Sequence, residues 1–93
     1  MKRYRAKKEY VLREIADTSV LVAVGAGVAD FSGVIILNDS AKALWVCLQE
    51  GSDAASLCDA LQEKFHISKE QAEKDVEDTL KLLTARRMIE EYE

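Results

Sequence analysis

The change from strand to helix occurs within residues 31–45, FSGVIILNDSAKALW. Residues 31–37 carry no charge and are mostly apolar, a composition that favours a strand buried in a sheet. Asn38 follows and can offer a side-chain oxygen to the unpaired N–H groups of a helix that starts behind it. Apolar side chains then recur at helical spacing, at Ala41, Leu44, Trp45 and Leu48. The sequence before Asn38 therefore predicts strands, and the sequence after it predicts helices.

Two further strands are predicted upstream of this junction. Residues 10–15 mix apolar and charged side chains, as expected of an edge strand with one solvated face, whereas residues 19–24 are more uniformly apolar and fit a central strand. Short connections favour antiparallel neighbours, so these two strands and residues 31–37 should form a meander. The first and third strands would be its edges, and the chain contains no proline that could protect an edge.

Three helices are predicted after the junction. The first runs from Asn38 to about Gln49 and ends at Gly51, and Ser52 or Asp53 can cap the second. The third begins at a capping-box pattern over residues 68–71 and runs to about Ala85. The expected buried stripes are Ala54, Leu57, Cys58, Leu61 and Phe65 on the second helix, and Ala72, Val76, Leu80 and Leu83 on the third. Met88 and Ile89 should form a short extended tail. The fold class is α+β: a three-stranded antiparallel sheet followed by three helices, like a winged helix-turn-helix.

The composition predicts one domain over residues 10–91 and a basic tail over residues 1–9. The chain has 93 residues, of which 48% are hydrophobic and 32% charged, as in an ordinary folded domain. Residues 1–8 hold five basic and no acidic side chains, so residues 9–93 hold eight basic and all 17 acidic ones, a net of −9. An acidic body repels nucleic acid. The basic tail fits a contact arm or, as the favoured interpretation, a solvated, frayed terminus.

No pattern in the chain indicates catalysis, a metal or a cofactor. Cys47 and Cys58 lie eleven residues apart, which is not a metal-ligand spacing, and His66 has no partner at ligand spacing. The acidic side chains of residues 70–78 spread around an exposed helix, with Lys69, Lys74 and Lys81 between them, which is typical of a solvated face. We therefore expect a non-enzymatic, cytoplasmic protein with no membrane segment, whose cysteines stay reduced.

One run of residues, Leu37-Asn38-x-x-Ala41-x-x-Leu44-Trp45-x-x-Leu48-x-x-Gly51, closely resembles the signature of the PqqD-like proteins. Later landmarks agree with this resemblance, which covers about residues 10–90: Leu57, Leu61, Phe65, Ile67, Asp75, Val76, Leu80, Leu83, Met88 and Ile89. Family members usually have Gly-Leu-Ile after the position of Arg86, where this chain has Arg87-Met88-Ile89, and that departure leaves the last turn open.

The resemblance implies a winged-helix module that recognises precursor peptides of ribosomally made, modified products, of which pyrroloquinoline quinone is one. Such modules bind the N-terminal leader of the precursor and present it to a maturation enzyme, often a radical S-adenosylmethionine enzyme. The leader adds as a strand between the third strand and the third helix. The peptide-binding residues predicted on this basis are Val34, Ile35, Ile36, Leu37, Asp75, Thr79, Leu82 and Arg86.

The residues themselves support strand addition, because an exposed apolar edge offers unpaired N–H and C=O groups to an incoming chain. Leu82 is apolar but lies off the core stripe of the third helix, so it fits either the floor of a groove or the rim of the core. Two alternatives remain for the whole chain. One is a DNA-binding winged helix, which five acids against three lysines in residues 69–81 disfavour. The other is a module that forms a homodimer through the same strand edge.

Overall fold

The computed structural model describes residues 2–24 and 35–92. Within these residues the elements in chain order are β1 (Arg3–Ala6), β2 (Tyr10–Ile15), β3 (Thr18–Ala23), β4 (Ile35–Leu37), α1 (Asp39–Glu50), β5 (Ser52–Asp53), α2 (Ala54–Phe65), α3 (Lys69–Ala85) and β6 (Ile89–Tyr92). The predicted α+β class, with an antiparallel meander ahead of three helices, is confirmed.

The predicted meander is formed by β2, β3 and β4, which we call the meander sheet. The central strand β3 pairs antiparallel with β2 over its whole length, and Ser19, Val20 and Leu21 pair with Leu37, Ile36 and Ile35 of β4. The third strand was predicted from Phe31, and its residues 31–34 lie outside the described part of the chain. Residues 35–37 have the predicted strand conformation.

The three helices begin at the predicted caps. Asn38 Oδ1 accepts the backbone N–H of Ala41 at 2.8 Å, Asp53 Oδ1 that of Ser56 at 2.7 Å, and Ser68 Oγ that of Gln71 at 3.1 Å. Each cap satisfies one donor that the first helical turn leaves unpaired. The accepted bond at Asp53 holds the pKa of its carboxyl below the usual value. Three short side chains therefore set where each of these three helices starts.

One core lies between the helices and both sheets. The predicted stripes of α1 and α3 are buried, and Trp45, Leu44, Leu48 and Ala72 have no exposed surface. On α2 the prediction holds for Leu57, Cys58 and Leu61, Phe65 is half-buried against the core, and Ala54 at the first helical position is exposed. Helical periodicity of 3.6 residues and strand periodicity of two residues each bring apolar side chains to one face. These faces pack against one another and so join the helices to the meander sheet.

A second sheet was not predicted, and we call it the terminal sheet. Its strand order is β5-β1-β6, with β1 antiparallel to both neighbours. The expectation that the basic N-terminus is frayed is therefore wrong for Arg3–Ala6. The side chain of Tyr4 packs against the core, and Arg5 forms an ion pair with Glu90 at 2.9 Å. In the tail expected at Met88–Ile89, Ile89 begins β6 and Met88 directly precedes it, and both side chains are buried. The proposed boundary between a tail and a domain near residue 10 stays a prediction.

Gly51 joins α1 to the terminal sheet. Its φ of 91° lies in the region that favours glycine, and a Cβ placed there would collide with the hydroxyl of Tyr92. The glycine predicted as a helix end thus also allows β6 to approach the end of α1.

Candidate functional site

The first part of the candidate site is the free edge of β4. β4 is the last strand of the meander sheet, and no strand of residues 2–24 or 35–92 pairs with its other side. Ile35 and Leu37 pack on the core, whereas the side chain of Ile36 is 72% exposed. The N–H and C=O groups along that edge have the arrangement that an added strand can extend. Val34, predicted as part of this edge, lies outside the described residues.

The second part is one face of α3. Asp75, Thr79, Leu82 and Arg86 follow one another at spacings of four, three and four residues along α3 and its C-cap, beside the buried stripe. Asp75 and Thr79 are half-buried, and Leu82 is 40% exposed although it is apolar. Asp75 Oδ1 accepts a hydrogen bond from Gln71 Nε2 at 2.8 Å, and the exposed Arg86 caps the helix through its backbone N–H.

The core connects these two parts. Leu37 of β4 belongs to the same buried cluster as Val76, Leu80 and Leu83 of α3. The structure therefore places the predicted residues, apart from Val34, on two elements that share one core. That they form the two walls of one peptide groove stays a prediction.

Sequence reasoning missed a large open cavity on the other side of α3. It has a volume of about 990 Å³ and lies between α2, α3 and the terminal sheet. Six of its lining residues are Tyr4, Cys58, Val76, Leu80, Thr84 and Ile89. Burial raises the pKa of the Cys58 thiol, helped by the charges of Glu73 and Asp59, which keeps this thiol protonated. No sequence signal marked this cavity, because it depends on the terminal sheet.

Most charged contacts in the described residues fasten elements to one another. Lys42 of α1 forms an ion pair with Glu14 of β2, and this lysine lowers the pKa of the Glu14 carboxyl. Lys2 pairs with Glu91 at 3.4 Å, and the Arg5 guanidinium lies 4.8 Å from the centre of the Tyr92 ring. Part of the positive charge of the N-terminus is therefore paired with groups in the terminal sheet.

Residues 2–24 and 35–92 contain no group of three or more His, Cys, Asp or Glu side chains placed to hold a metal ion. None of the helices in the same residues is long and apolar enough to cross a membrane.

Comparison with known proteins adds the family and the fold. Two solved structures share the fold. One is "TbiB1 in Complex with the TbiA(beta) Leader Peptide", with a TM-score of 0.71 and 22% identity over 92% of this chain and 94% of that chain. The other is "Lasso peptide synthetase B1 complexed with the leader peptide", with a TM-score of 0.70 and 21% identity over 94% of this chain and 96% of that chain. No curated protein matches the chain. The sequence profile described as "Coenzyme PQQ synthesis protein D (PqqD)" matches residues 18–89, and the chain belongs to this family.

Proposed function

We propose that the chain binds the leader of a ribosomally synthesised precursor peptide by β-strand addition and presents the attached core peptide to a maturation enzyme. The observation that carries this proposal is the free edge of β4, which within the described residues pairs with β3 alone. Family membership supports it, as do two proteins of the same fold that were solved with leader peptides.

In the proposed complex, the leader extends the meander sheet and places apolar side chains toward Leu82 on α3. Main-chain hydrogen bonds to Ile35–Leu37 supply affinity with little demand on sequence, and side-chain contacts supply selectivity. The free leader is flexible and must be ordered on binding, so the affinity should lie in the micromolar range, about −8 kcal/mol.

The chain's role would be recognition, and the covalent chemistry would belong to its partner. A radical S-adenosylmethionine enzyme is the partner type that the PqqD resemblance implies, and the product would be pyrroloquinoline quinone or another modified peptide. We place the protein in the cytoplasm, in keeping with the free thiols of Cys47 and Cys58. It would act as a monomer or as a homodimer paired through the β4 edge.

Proline substitutions in β4 test the proposal. A display library of random peptides long enough to span β4 would be selected on the protein, and amide chemical shifts would locate the selected peptide. Ile35 and Ile36 direct their N–H groups to opposite sides of the strand, and proline has no N–H. One of Ile35→Pro and Ile36→Pro should therefore abolish binding with helical circular dichroism nearly intact. The other should disrupt the sheet by breaking a bond to β3.

A charge on α3 tests the second wall. Leu82→Asp should weaken binding of the same peptide, because the bound peptide would remove water from a carboxylate in the groove. Val46→Asp is the matched control, since Val46 is an apolar residue of α1 that is 50% exposed. Unchanged binding to both the folded proline variant and Leu82→Asp would show that peptides dock elsewhere.

A further inference from the structure

A row of three side chains crosses the outer face of the meander sheet. Arg13 of β2 lies opposite Val20 of β3, and Val20 lies opposite Ile36 of β4. Side chains of directly paired residues project from the same face of a sheet. The next row, Leu12, Leu21 and Ile35, packs on the core, so the row that contains Ile36 faces away from it.

Exposure changes sharply along this outer row. Val20 is only 6% exposed, although its face of the sheet points away from the core, whereas Ile36 is 72% exposed. Val20 has a paired strand on each side, and the side chains of Arg13 and Ile36 flank it. Ile36 has a paired strand on one side only, within residues 2–24 and 35–92. A strand added beside β4 would give Ile36 a paired residue on each side, as Val20 already has.

We propose, on the basis of the proposed function, that Ile36 reads the leader residue that comes to lie opposite it and selects an apolar side chain there. This contact lies on the outer face of the sheet and is separate from the groove beside α3. The leader would therefore be read on both faces: one residue against Ile36, and its two chain neighbours toward the core side. Strand period 2 fixes this alternation.

The gain comes from covering an exposed isoleucine. An apolar residue opposite Ile36 removes apolar surface of both side chains from water, whereas a polar residue leaves the isoleucine hydrated. Threonine keeps the β-branched shape at this position but has a hydroxyl in place of the ethyl group of isoleucine. Ile36→Thr should therefore weaken binding of a selected peptide by about two- to fivefold, the usual size of one cross-strand contact.

Ile15 provides a matched control. It is 65% exposed and lies on the same outer face, but on β2, the strand at the opposite edge of the sheet. Ile15→Thr makes the same chemical change at similar exposure without touching the row that contains Ile36. It should leave peptide affinity unchanged.

The decisive test uses the random peptide library on four proteins: the wild type, Ile36→Thr, Ile36→Lys and Ile15→Lys. Contacts between the Ile36 side chain and the selected peptide, measured by nuclear Overhauser effects, identify the opposing position. The wild type and Ile15→Lys should select apolar residues there. Ile36→Thr should lose this preference, and Ile36→Lys should shift it to Asp or Glu at that position alone, because opposite charges pair across strands.

Two results would count against the inference, and they are distinguishable. If the wild type selects peptides on β4 but all four proteins prefer the same residues, the outer-face contact is wrong and strand addition stands. If the wild type selects no peptide on β4, the proposed function fails and this inference fails with it.

Discussion

At the scale of single residues, Arg87 has a backbone conformation that usually belongs to glycine. Its φ is 58°, in the left-handed region. The N–H of Arg87 donates to the Thr84 carbonyl at 3.0 Å, and the N–H of Met88 donates to the Leu83 carbonyl at 2.9 Å. These two bonds form the Schellman motif that ends α3. The family resemblance leads one to expect glycine at this position, and the chain keeps the turn geometry without it.

Replacing this arginine with glycine should stabilise the protein. A side chain with a Cβ is strained in the left-handed region, and glycine is not. Arg87→Gly should raise the free energy of unfolding by about 0.5–1 kcal/mol, measured by urea denaturation. Arg87→Ala is the control, because it removes the long side chain but keeps the Cβ. Equal effects of the two substitutions would trace the change to the arginine side chain instead.

At the scale of elements, β1 organises the terminal sheet. It pairs with β5 on one side and β6 on the other, and it places Tyr4 and Ala6 against the core. β5 has two residues and β6 directly follows the turn after α3. Without β1, these two strands would have no common partner.

Removing β1 should therefore cost stability, and the strand should matter more than its charges. Deletion of residues 1–8 should lower the free energy of unfolding by about 2 kcal/mol or more, the value of burying one large side chain such as Tyr4. Replacing Lys2, Arg3 and Arg5 together by glutamine keeps the strand and should cost less than about 1 kcal/mol, because exposed ion pairs contribute little. If urea denaturation showed that the glutamine variant loses more free energy of unfolding than the deletion variant, this order would be wrong.

The elements also show what local sequence can predict. Asn38, Asp53 and Ser68 act within three residues of themselves, so the helix starts could be predicted, and the stripe around Trp45 identified the buried face of α1. The terminal sheet could not be predicted, because Arg3 pairs with Tyr92 at the other end of the chain and short charged strands lack periodicity. For the same reason the cavity behind α3 was missed. The residues proposed for the site came from the family resemblance together with the apolar edge of β4 and the helical spacing on α3, and their use in binding stays a prediction.

At the scale of the whole molecule, charge is divided between basic residues 1–8 and an acidic remainder. Residues 9–93 carry a net of −9, and α3, the helix that would enter a DNA groove, carries five acids against three lysines over residues 69–81. Part of the opposing basic charge is held in ion pairs of Lys2 and Arg5 with β6. A phosphate backbone would therefore meet mostly repulsive charge.

We expect no DNA binding even where electrostatics are strongest. In a mobility-shift assay at low salt, where screening is weakest, the protein at micromolar concentration should leave a random duplex unshifted. A variant with Glu70, Glu73 and Asp78 changed to lysine supplies the comparison and should begin to retard the duplex. If the wild-type protein retarded the duplex, the result would support the DNA-binding alternative.

The register of the terminal sheet has a consequence for how the domain can be tethered. Arg3 is paired with Tyr92, so the two ends of the described chain leave the molecule side by side. A polypeptide joined before β1 or after β6 would start from nearly the same point, on a different sheet from β4. Neighbouring ends of this kind also tolerate circular permutation. In a fusion with an enzyme, the order of the two parts along the gene would hardly change where the enzyme is anchored.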